Sequence, residues 1–245
     1  MNMQLSEFKL QELERMMNDF GTAPRIFNSE AQFQFELAWK IKEEFCCEVK
    51  LEELSRVNGG KKDYTDIILE KGDLRIALEL KYKTAAISGY NLKKHGATDL
   101  GAYDFLWDVH RIQKLTKMEP SVKEEEVKLP CTRGYAVILT NDSHYWNDMT
   151  PKNTINREFL IGGNPSGELK KGEHKWFDKS GNRGNLPPAI ANSPSRRDPI
   201  KICKDYVYQW KPYCDLKLTK NGVFKYMIVE IVPNCTMESN SEDID

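Results

Sequence analysis

The amino-acid sequence predicts an α/β fold, in which helices flank a central mixed sheet and a C-terminal part of loops and short strands follows. Three observations favour this class: an apolar hairpin at 63–83, a strongly apolar strand at 134–140, and helical apolar spacing before each of them. In chain order the segments therefore read helix, strands, helix and strand.

Two helices are predicted before the hairpin. Residues 5–20 have the apolar spacing of an amphipathic helix that ends at Gly21, and a second helix begins after Ser29, a favoured N-cap residue. Apolar side chains recur at helical spacing along this second helix: Phe33, Leu37 and Ile41. A strand is expected within 47–54, and the hairpin supplies the next two strands.

Charged residues interrupt the apolar runs of the hairpin. Its strands meet at a turn formed by 71–73, and side chains of a strand alternate between the two faces of a sheet. Glu79 and Lys81 therefore share one face of the second strand. The other face is apolar and carries Ile76, Leu78, Leu80 and Tyr82.

Asp66 joins the charged face if the hairpin closes symmetrically about its turn. With Glu70 opposite Asp73, Asp66 would lie opposite Ala77 on that face. Two carboxylates and an amine would then converge on one patch. Buried charges are tolerated mainly when they are paired or bound to a metal. The alternative, from spacing alone, is a solvated hairpin face with a cross-strand ion pair.

These three side chains suit the metal-assisted hydrolysis of a phosphodiester. Mg²⁺ prefers a few carboxylate oxygens and completes its octahedron with water and substrate phosphate. Asp66 and Glu79 would supply the carboxylates, and the carbonyl of Leu80 a backbone oxygen. Lys81 would orient the attacking water or stabilise the transition state. The expected cofactor is therefore Mg²⁺, with Mn²⁺ as a substitute, and the number of metal ions stays open.

Asp66 followed by Glu79-Leu80-Lys81 resembles the motif of the PD-(D/E)xK nuclease superfamily, although Thr65 stands in the proline position. Five blocks are also similar to a group of small bacterial proteins of this type: 29–39, 76–84, 91–99, 103–111 and 135–146. The resemblance implies a restriction-endonuclease-like αβββαβ core. It also implies a metal-dependent DNA nuclease, expected to be an endonuclease in restriction or in defence against mobile DNA. RNA or a structured nucleic acid is the alternative substrate, and a non-catalytic nucleic-acid-binding protein is the alternative function.

In that superfamily the first core helix often sends a glutamate toward the metal, and the resemblance assigns Glu30 to this role. Glu36 of the same helix is the rival, and a first-turn acid such as Glu30 also complements the helix dipole. Gln34 lies four residues after Glu30 and shares its face. We therefore expect Gln34 to contact nucleic acid or to support the site.

A helix predicted from about 97 to 117 carries a polar stripe of Asp104, Asp108 and Arg111, spaced three or four apart. The stripe is either a solvated, salt-bridged face or a support for Lys81 or Lys83 and for the phosphate backbone. Together with Gln34, the side chains expected to bind nucleic acid or to support the site are Lys83, Lys93, Lys94 and Arg111.

The charge distribution accommodates a nucleic-acid partner. Residues 150–220 hold 14 Lys and Arg against 7 Asp and Glu, a balance of +7, whereas the rest of the chain carries −8. A local basic patch is sufficient for phosphate contacts. The predicted organisation is an N-terminal helix, a nuclease-like core, a basic C-terminal elaboration and an acidic disordered tail: 1–24, 25–148, 149–233 and 234–245.

Two further strands, at 205–210 and 223–232, are expected to return to the core. No apolar run is long enough for a membrane span, and the six cysteines show neither a C-x-x-C pair nor a disulfide-like spacing. A reduced cytoplasm without membrane contact is the expected location. Because superfamily members often pair to cut both strands, a homodimer is also an expectation.

Overall fold

A mixed six-stranded sheet forms the centre of the structure, in agreement with the predicted α/β class. The computed structural model describes residues 2–58, 61–92, 98–117, 127–147, 154–163, 166–193 and 195–233. The predicted nucleic-acid contacts Lys93 and Lys94 and the predicted tail at 234–245 lie outside these residues.

Helices are numbered α1 to α4 and strands β1 to β12 in chain order. The helices are α1 Leu10–Thr22, α2 Glu30–Glu44, α3 Thr98–Leu115 and α4 Pro188–Ala191. The strands up to the middle of the chain are β1 Met3–Gln4, β2 Phe45–Cys46, β3 Glu48–Asn58, β4 Lys61–Lys71, β5 Leu74–Lys83 and β6 Arg133–Thr140. The later strands are β7 Ser166–Leu169, β8 Gly172–His174, β9 Ile200–Ile202, β10 Tyr206–Gln209, β11 Lys211–Asp215 and β12 Val223–Ile231.

The strand order of the central sheet is β11-β12-β6-β5-β4-β3. All neighbouring pairs are antiparallel except β5 and β6, which run parallel and are connected through α3. Counting the strands of the central sheet alone, the segment from α2 to β6 has the predicted order of one helix, three strands, a helix and a strand. The narrower expectation of a restriction-endonuclease-like core stays a prediction.

The register of the β4–β5 hairpin differs from the predicted one by two residues. Glu70 lies opposite Arg75, and Ile68 rather than Asp66 lies opposite Ala77. The reason is a two-residue turn in which Gly72 has a φ of +59°, a conformation that glycine adopts without strain. A shift of two residues preserves the face of every side chain. Asp66 therefore moves along the strand and keeps its predicted face.

The two faces of the sheet belong to two hydrophobic cores. One face packs against α1 and α2 and includes the predicted apolar side chains of β5, from Ile76 to Tyr82. The opposite face packs against α3 and against aromatic residues of the C-terminal part, such as Phe159 and Trp176. The charged positions of β4 and β5 thus point toward α3. No helix within the described ranges is both long and apolar enough to cross a bilayer.

Two predicted elements differ in detail from the structure. The N-terminal segment forms a 3-10 turn at Leu5–Glu7 before α1, because Phe8 turns inward to pack edge-on against Phe45 and Tyr135. The strand predicted at 205–210 is β10, which returns to the core as predicted, through Tyr206 and Tyr208, but pairs with β7 in a separate two-stranded sheet.

Strand β11 was not predicted, although it forms one edge of the central sheet. Its sequence includes Pro212, and its pairing with β12 shifts register between Pro212 and Cys214. Both features obscure the alternation by which strands are recognised. The five cysteines within the described ranges are free thiols, as their spacing predicts.

Gly21 allows α1 to approach β11 closely, because a Cβ atom at this position would overlap the carbonyl oxygen of Tyr213. Gly21→Ala is therefore expected to lower the free energy of unfolding by about 2 kcal/mol, measured by urea denaturation. Helix propensity alone predicts the opposite sign, a gain of about 1 kcal/mol. Thr22→Ala, at the exposed neighbouring position, is the control and should change stability by less than about 0.5 kcal/mol. A stabilised Gly21→Ala protein would contradict the close approach.

Candidate active site

Strands β4 and β5 bring Asp66, Glu79 and Lys81 to one end of the sheet, on the face that α3 covers. Asp66 accepts a hydrogen bond from the backbone N–H of Leu80, with 2.6 Å between Oδ2 and N. This bond fixes the Asp66 carboxylate beside the Glu79-Leu80-Lys81 segment. The carbonyl oxygen of Leu80 lies 3.3 Å from the ammonium of Lys81. The structure thus brings together the side chains and the backbone oxygen that the sequence predicts.

Glu79 is completely buried and is held by Arg111 of α3. The two guanidinium nitrogens lie 3.1 and 3.3 Å from its two carboxylate oxygens. The side chain of Glu79 has no exposed surface, and that of Arg111 is 18% exposed. Arg111 also donates a hydrogen bond to the carbonyl oxygen of Tyr64 and so connects α3 to β4, two residues before Asp66.

Lys81 forms the complementary ion pair with α3. Its ammonium lies 2.6 Å from Oδ2 of Asp108, a residue with only 3% of its side chain exposed. Asp108 in turn lies 3.6 Å from Arg111. Glu79 and Lys81, two residues apart on β5, thus pair with Arg111 and Asp108, three residues apart on α3. The polar stripe of α3 therefore supports Lys81 and is not only a solvated, salt-bridged face, the other alternative that its spacing left open.

Glu30 reaches the same site from the first turn of α2. Its carboxylate accepts the backbone N–H of Tyr82, with 2.7 Å between Oε2 and N, and it lines the same cleft as Lys81. The predicted N-cap Ser29 starts the helix and accepts the N–H of Gln32 at 3.1 Å. Glu36, the rival carboxylate, instead pairs with Arg25 at 2.8 Å. The geometry therefore favours Glu30 over Glu36 as the helix carboxylate of the site.

Gln34 supports the backbone of Asp66 from the face of the sheet that α2 covers. Its amide nitrogen lies 2.6 Å from the carbonyl oxygen of Asp66 and 2.8 Å from the carboxylate of Glu52. Only 9% of Gln34 is exposed. Of its two expected roles, contact with nucleic acid or support of the site, the structure agrees with the second.

The site contains more negative than positive charge. The four carboxylates Glu30, Asp66, Glu79 and Asp108 face two cations, Lys81 and Arg111, so full ionisation leaves a net charge of −2. Burial raises the pKa of Asp66 from 3.8 to about 6, against the opposing effect of Lys81.

Burial also raises the pKa values of the Glu79 and Asp108 carboxyls. The pKa of Glu79 lies well above its usual range, although the attraction of Arg111 lowers it. The pKa of Asp108 is also raised, although the attraction of Lys81 lowers it. Burial would lower the pKa of the Lys81 ammonium, but Asp108 and then the other carboxylates raise it overall, so Lys81 stays protonated. The arrangement lacks positive charge.

A divalent cation fits this lack of charge. Within the described part of the chain, Glu79 Oε1 and Asp108 Oδ2 are buried and make no hydrogen bond, although each has a cation at ion-pair distance. The same residues include no group of three or more His, Cys, Asp or Glu that could hold a metal ion. An ion at this site would therefore depend on two carboxylates, a backbone oxygen and water, a ligand set that suits Mg²⁺.

An open cleft of about 400 Å³ adjoins the site and is lined by Glu30, Lys81, Lys83, Asp104, Arg111 and Arg196, among others. Lys83 lies 3.9 Å from Asp104. Arg196 donates two hydrogen bonds to the same carboxylate, at 2.7 and 2.9 Å. Arg196 was not predicted, because 92 residues separate it from Asp104 and its only sequence signal is the general basic bias of 150–220.

Comparisons of this chain with protein-family models, with curated proteins and with solved structures find no match. The resemblance to the PD-(D/E)xK superfamily therefore rests on the sequence motif, and membership stays a prediction.

Asp66 should make the stability of the metal-free protein depend on pH. Between pH 4 and pH 6 the folded carboxyl keeps a proton that the unfolded one releases, so its contribution to the free energy of unfolding falls as pH rises. We expect wild type to lose about 2 kcal/mol relative to Asp66→Asn from pH 4 to pH 7, in urea denaturation with EDTA. The asparagine is the matched control because it retains an acceptor for the N–H of Leu80. Parallel pH profiles for the two proteins would contradict the raised pKa.

Proposed function

We propose that this protein is a Mg²⁺-dependent nuclease that hydrolyses the phosphodiester bonds of DNA as an endonuclease. The observation that carries the proposal is the excess of carboxylates around Lys81, two of them buried, beside an open, partly basic cleft. The crossed pairs of Glu79 with Arg111 and Lys81 with Asp108 are balanced in charge, whereas a metal site needs additional acids. Glu30 and Asp66 are the additional acids here.

Asp66, Glu79 and the carbonyl oxygen of Leu80 would hold the metal ion. When bound, Mg²⁺ would lower the pKa of a bound water and neutralise charge that develops on the phosphate, and Mn²⁺ would substitute for it. Asp66 and Leu80 are already in fixed positions, because the Leu80 N–H holds the carboxylate and Gln34 holds the Asp66 carbonyl. Little reorganisation of these two residues would therefore accompany metal binding.

Lys81 would contribute a protonated donor beside the reacting phosphate. Asp108 holds its ammonium in place, and burial among carboxylates keeps it charged. A donor that is fixed before the reaction stabilises developing charge without a cost of reorganisation. Glu30 would fix the position of β5 at Tyr82 and would accept hydrogen bonds from water in the cleft.

Lys83 and Arg196 would bind the phosphate backbone at the wall of the cleft. Phosphate contacts of this kind supply most of the affinity for nucleic acid and carry no sequence information. RNA is the alternative substrate, because the same chemistry acts on either backbone. A homodimer that cuts both strands, a cytoplasmic location and a role in restriction or in defence against mobile DNA belong to the proposal as expectations.

One observation favours a second candidate, a nucleic-acid-binding protein without catalytic activity. Glu79 and Lys81 are both already paired, with Arg111 and Asp108 respectively. Four such charges form a neutral network that is sufficient as a structural element. Metal-dependent cleavage separates the two candidates.

The first experiment incubates supercoiled plasmid with wild type and with Lys81→Ala, in Mg²⁺, in Mn²⁺ and in EDTA. We expect metal-dependent nicking by wild type and a rate at least about 100-fold lower for Lys81→Ala, because a fixed donor to the transition state is lost. A parallel incubation with single-stranded RNA identifies the preferred backbone. Cleavage that persists in EDTA or in Lys81→Ala would contradict the proposed site.

Glu30→Gln and Glu36→Gln provide a matched pair on α2. The two substitutions are chemically identical, but only Glu30 lines the cleft. Glu30→Gln should lower the nicking rate roughly 10- to 100-fold, the usual effect of removing a supporting partner of a metal site. Glu36→Gln should cleave at the wild-type rate. Equal effects of the two substitutions would exclude Glu30 from the site.

A further inference from the structure

Arg111 lies at the point where the carboxylates of the site converge. Its guanidinium contacts both oxygens of Glu79 at 3.1 and 3.3 Å and lies 3.6 Å from Oδ1 of Asp108. It also donates to the carbonyl oxygen of Tyr64. Four oxygens from three residues thus surround one cation, as the ligands of a metal ion would.

This arrangement limits how Glu79 can bind a metal. Both of its oxygens face the guanidinium, and the side chain has no exposed surface. One guanidinium nitrogen donates a charge-assisted hydrogen bond to Oε2 at 3.3 Å, and the other lies at ion-pair distance from Oε1, which accepts no hydrogen bond. Glu79 Oε1 makes no hydrogen bond, but a divalent cation that binds it would stand beside the Arg111 guanidinium 3.1 Å away. Repulsion between the two cations would favour displacement of the arginine.

A cleft beside Arg111 can accept its side chain when the contact with Glu79 breaks. It is partly exposed and lines the cleft that also contains Lys81 and Lys83. Its planar fork of donors matches phosphate as well as it matches carboxylate. The cleft is where the backbone of a substrate would lie under the proposed function.

We propose that Arg111 is a resident cation that competes with the divalent metal for Glu79 and, once displaced, binds a phosphate of the nucleic acid in the cleft. This inference rests on the proposed function: its first half uses the metal site of that proposal and its second half uses the nucleic-acid substrate. The first half concerns metal binding and is measurable without substrate. It explains how Glu79 is both paired in the metal-free protein and available as a ligand.

A purely structural role for Arg111 predicts a different behaviour. If Arg111 only holds Glu79 in place for the metal, its removal lets the carboxylate move and weakens metal binding. If Arg111 competes, its removal strengthens metal binding. The sign of the change in affinity therefore distinguishes the two roles.

The test is isothermal titration of the full-length protein with MnCl₂, for wild type, Arg111→Gln and Arg111→Lys. We expect Arg111→Gln to bind Mn²⁺ roughly tenfold more tightly, because no charge-assisted hydrogen bond has to be broken first. Arg111→Lys keeps the charge but loses the fork, so its affinity should lie between the two. Mn²⁺ should also raise the Tm of Arg111→Gln more than that of wild type, which provides a readout if the variant is unstable without metal.

Lys83→Gln is the matched control for the loss of one positive charge in the cleft. Lys83 lies on β5 close to Lys81, and its ion-pair partner is Asp104. A general electrostatic effect would strengthen Mn²⁺ binding equally in Lys83→Gln and Arg111→Gln. Competition at Glu79 predicts a change of roughly twofold or less in Lys83→Gln, because Lys83 lies beside Asp104 and not beside Glu79.

The outcomes for Arg111 and for the nuclease activity are separable. Tighter Mn²⁺ binding with slower plasmid cleavage by Arg111→Gln would support both halves of the inference. Equal or weaker Mn²⁺ binding in both Arg111 variants, with cleavage by wild type, would overturn it and leave the nuclease proposal standing. Tighter binding without cleavage by any protein would support competition at Glu79, and the nuclease proposal would fail. No Mn²⁺ binding by any of the proteins would overturn both.

Discussion

The crossed ion pairs between β5 and α3 are the interaction on which the rest of the structure depends. Glu79 pairs with Arg111 and Lys81 with Asp108, and all four side chains are largely buried. Removing one member would leave a buried charge without its partner, which typically costs several kcal/mol. The helix and the strand therefore have little freedom to slide past each other. That constraint gives the carboxylate face of the sheet a fixed geometry.

Glu30 and Asp66 add two carboxylates that the crossed ion pairs do not need. Both are held by backbone N–H groups of β5, those of Tyr82 and Leu80 respectively. A hydrogen bond to the backbone positions a carboxylate without neutralising it, so the site keeps its excess negative charge. Burial raises the pKa of Asp66, and the attraction of Lys81 offsets this effect only in part. A divalent cation would supply the missing positive charge.

Much of the site could be predicted from the sequence because its central residues lie on one hairpin. The alternation of strand side chains places Glu79 and Lys81 on one face whatever the register, and a shift by two residues leaves Asp66 on that face too. The N-cap at Ser29 likewise fixes where α2 starts. These are local rules, so one sequence is sufficient to apply them.

The long-range contacts could not be predicted in the same way. The sequence indicated that a polar stripe on α3 carries Asp108 and Arg111 but not which charge meets which. Arg196 comes from a segment without apolar periodicity, 92 residues after its partner Asp104. The contacts of Asp108 and Arg111 depend on how α3 packs on β5, and that of Arg196 depends on how the C-terminal part packs on α3. No local pattern encodes either packing. The same holds for β11, whose bulge and Pro212 disguise an edge strand.

The most direct measurement is anomalous diffraction from crystals of the protein that are soaked in millimolar MnCl₂. The central claim is that the buried carboxylates of the hairpin form a divalent-metal site. It predicts an anomalous peak within bonding distance of Asp66 and Glu79, with the Arg111 guanidinium displaced from Glu79. Crystals without a peak there, and with Arg111 still on Glu79, would contradict it and would favour a closed structural network of ion pairs.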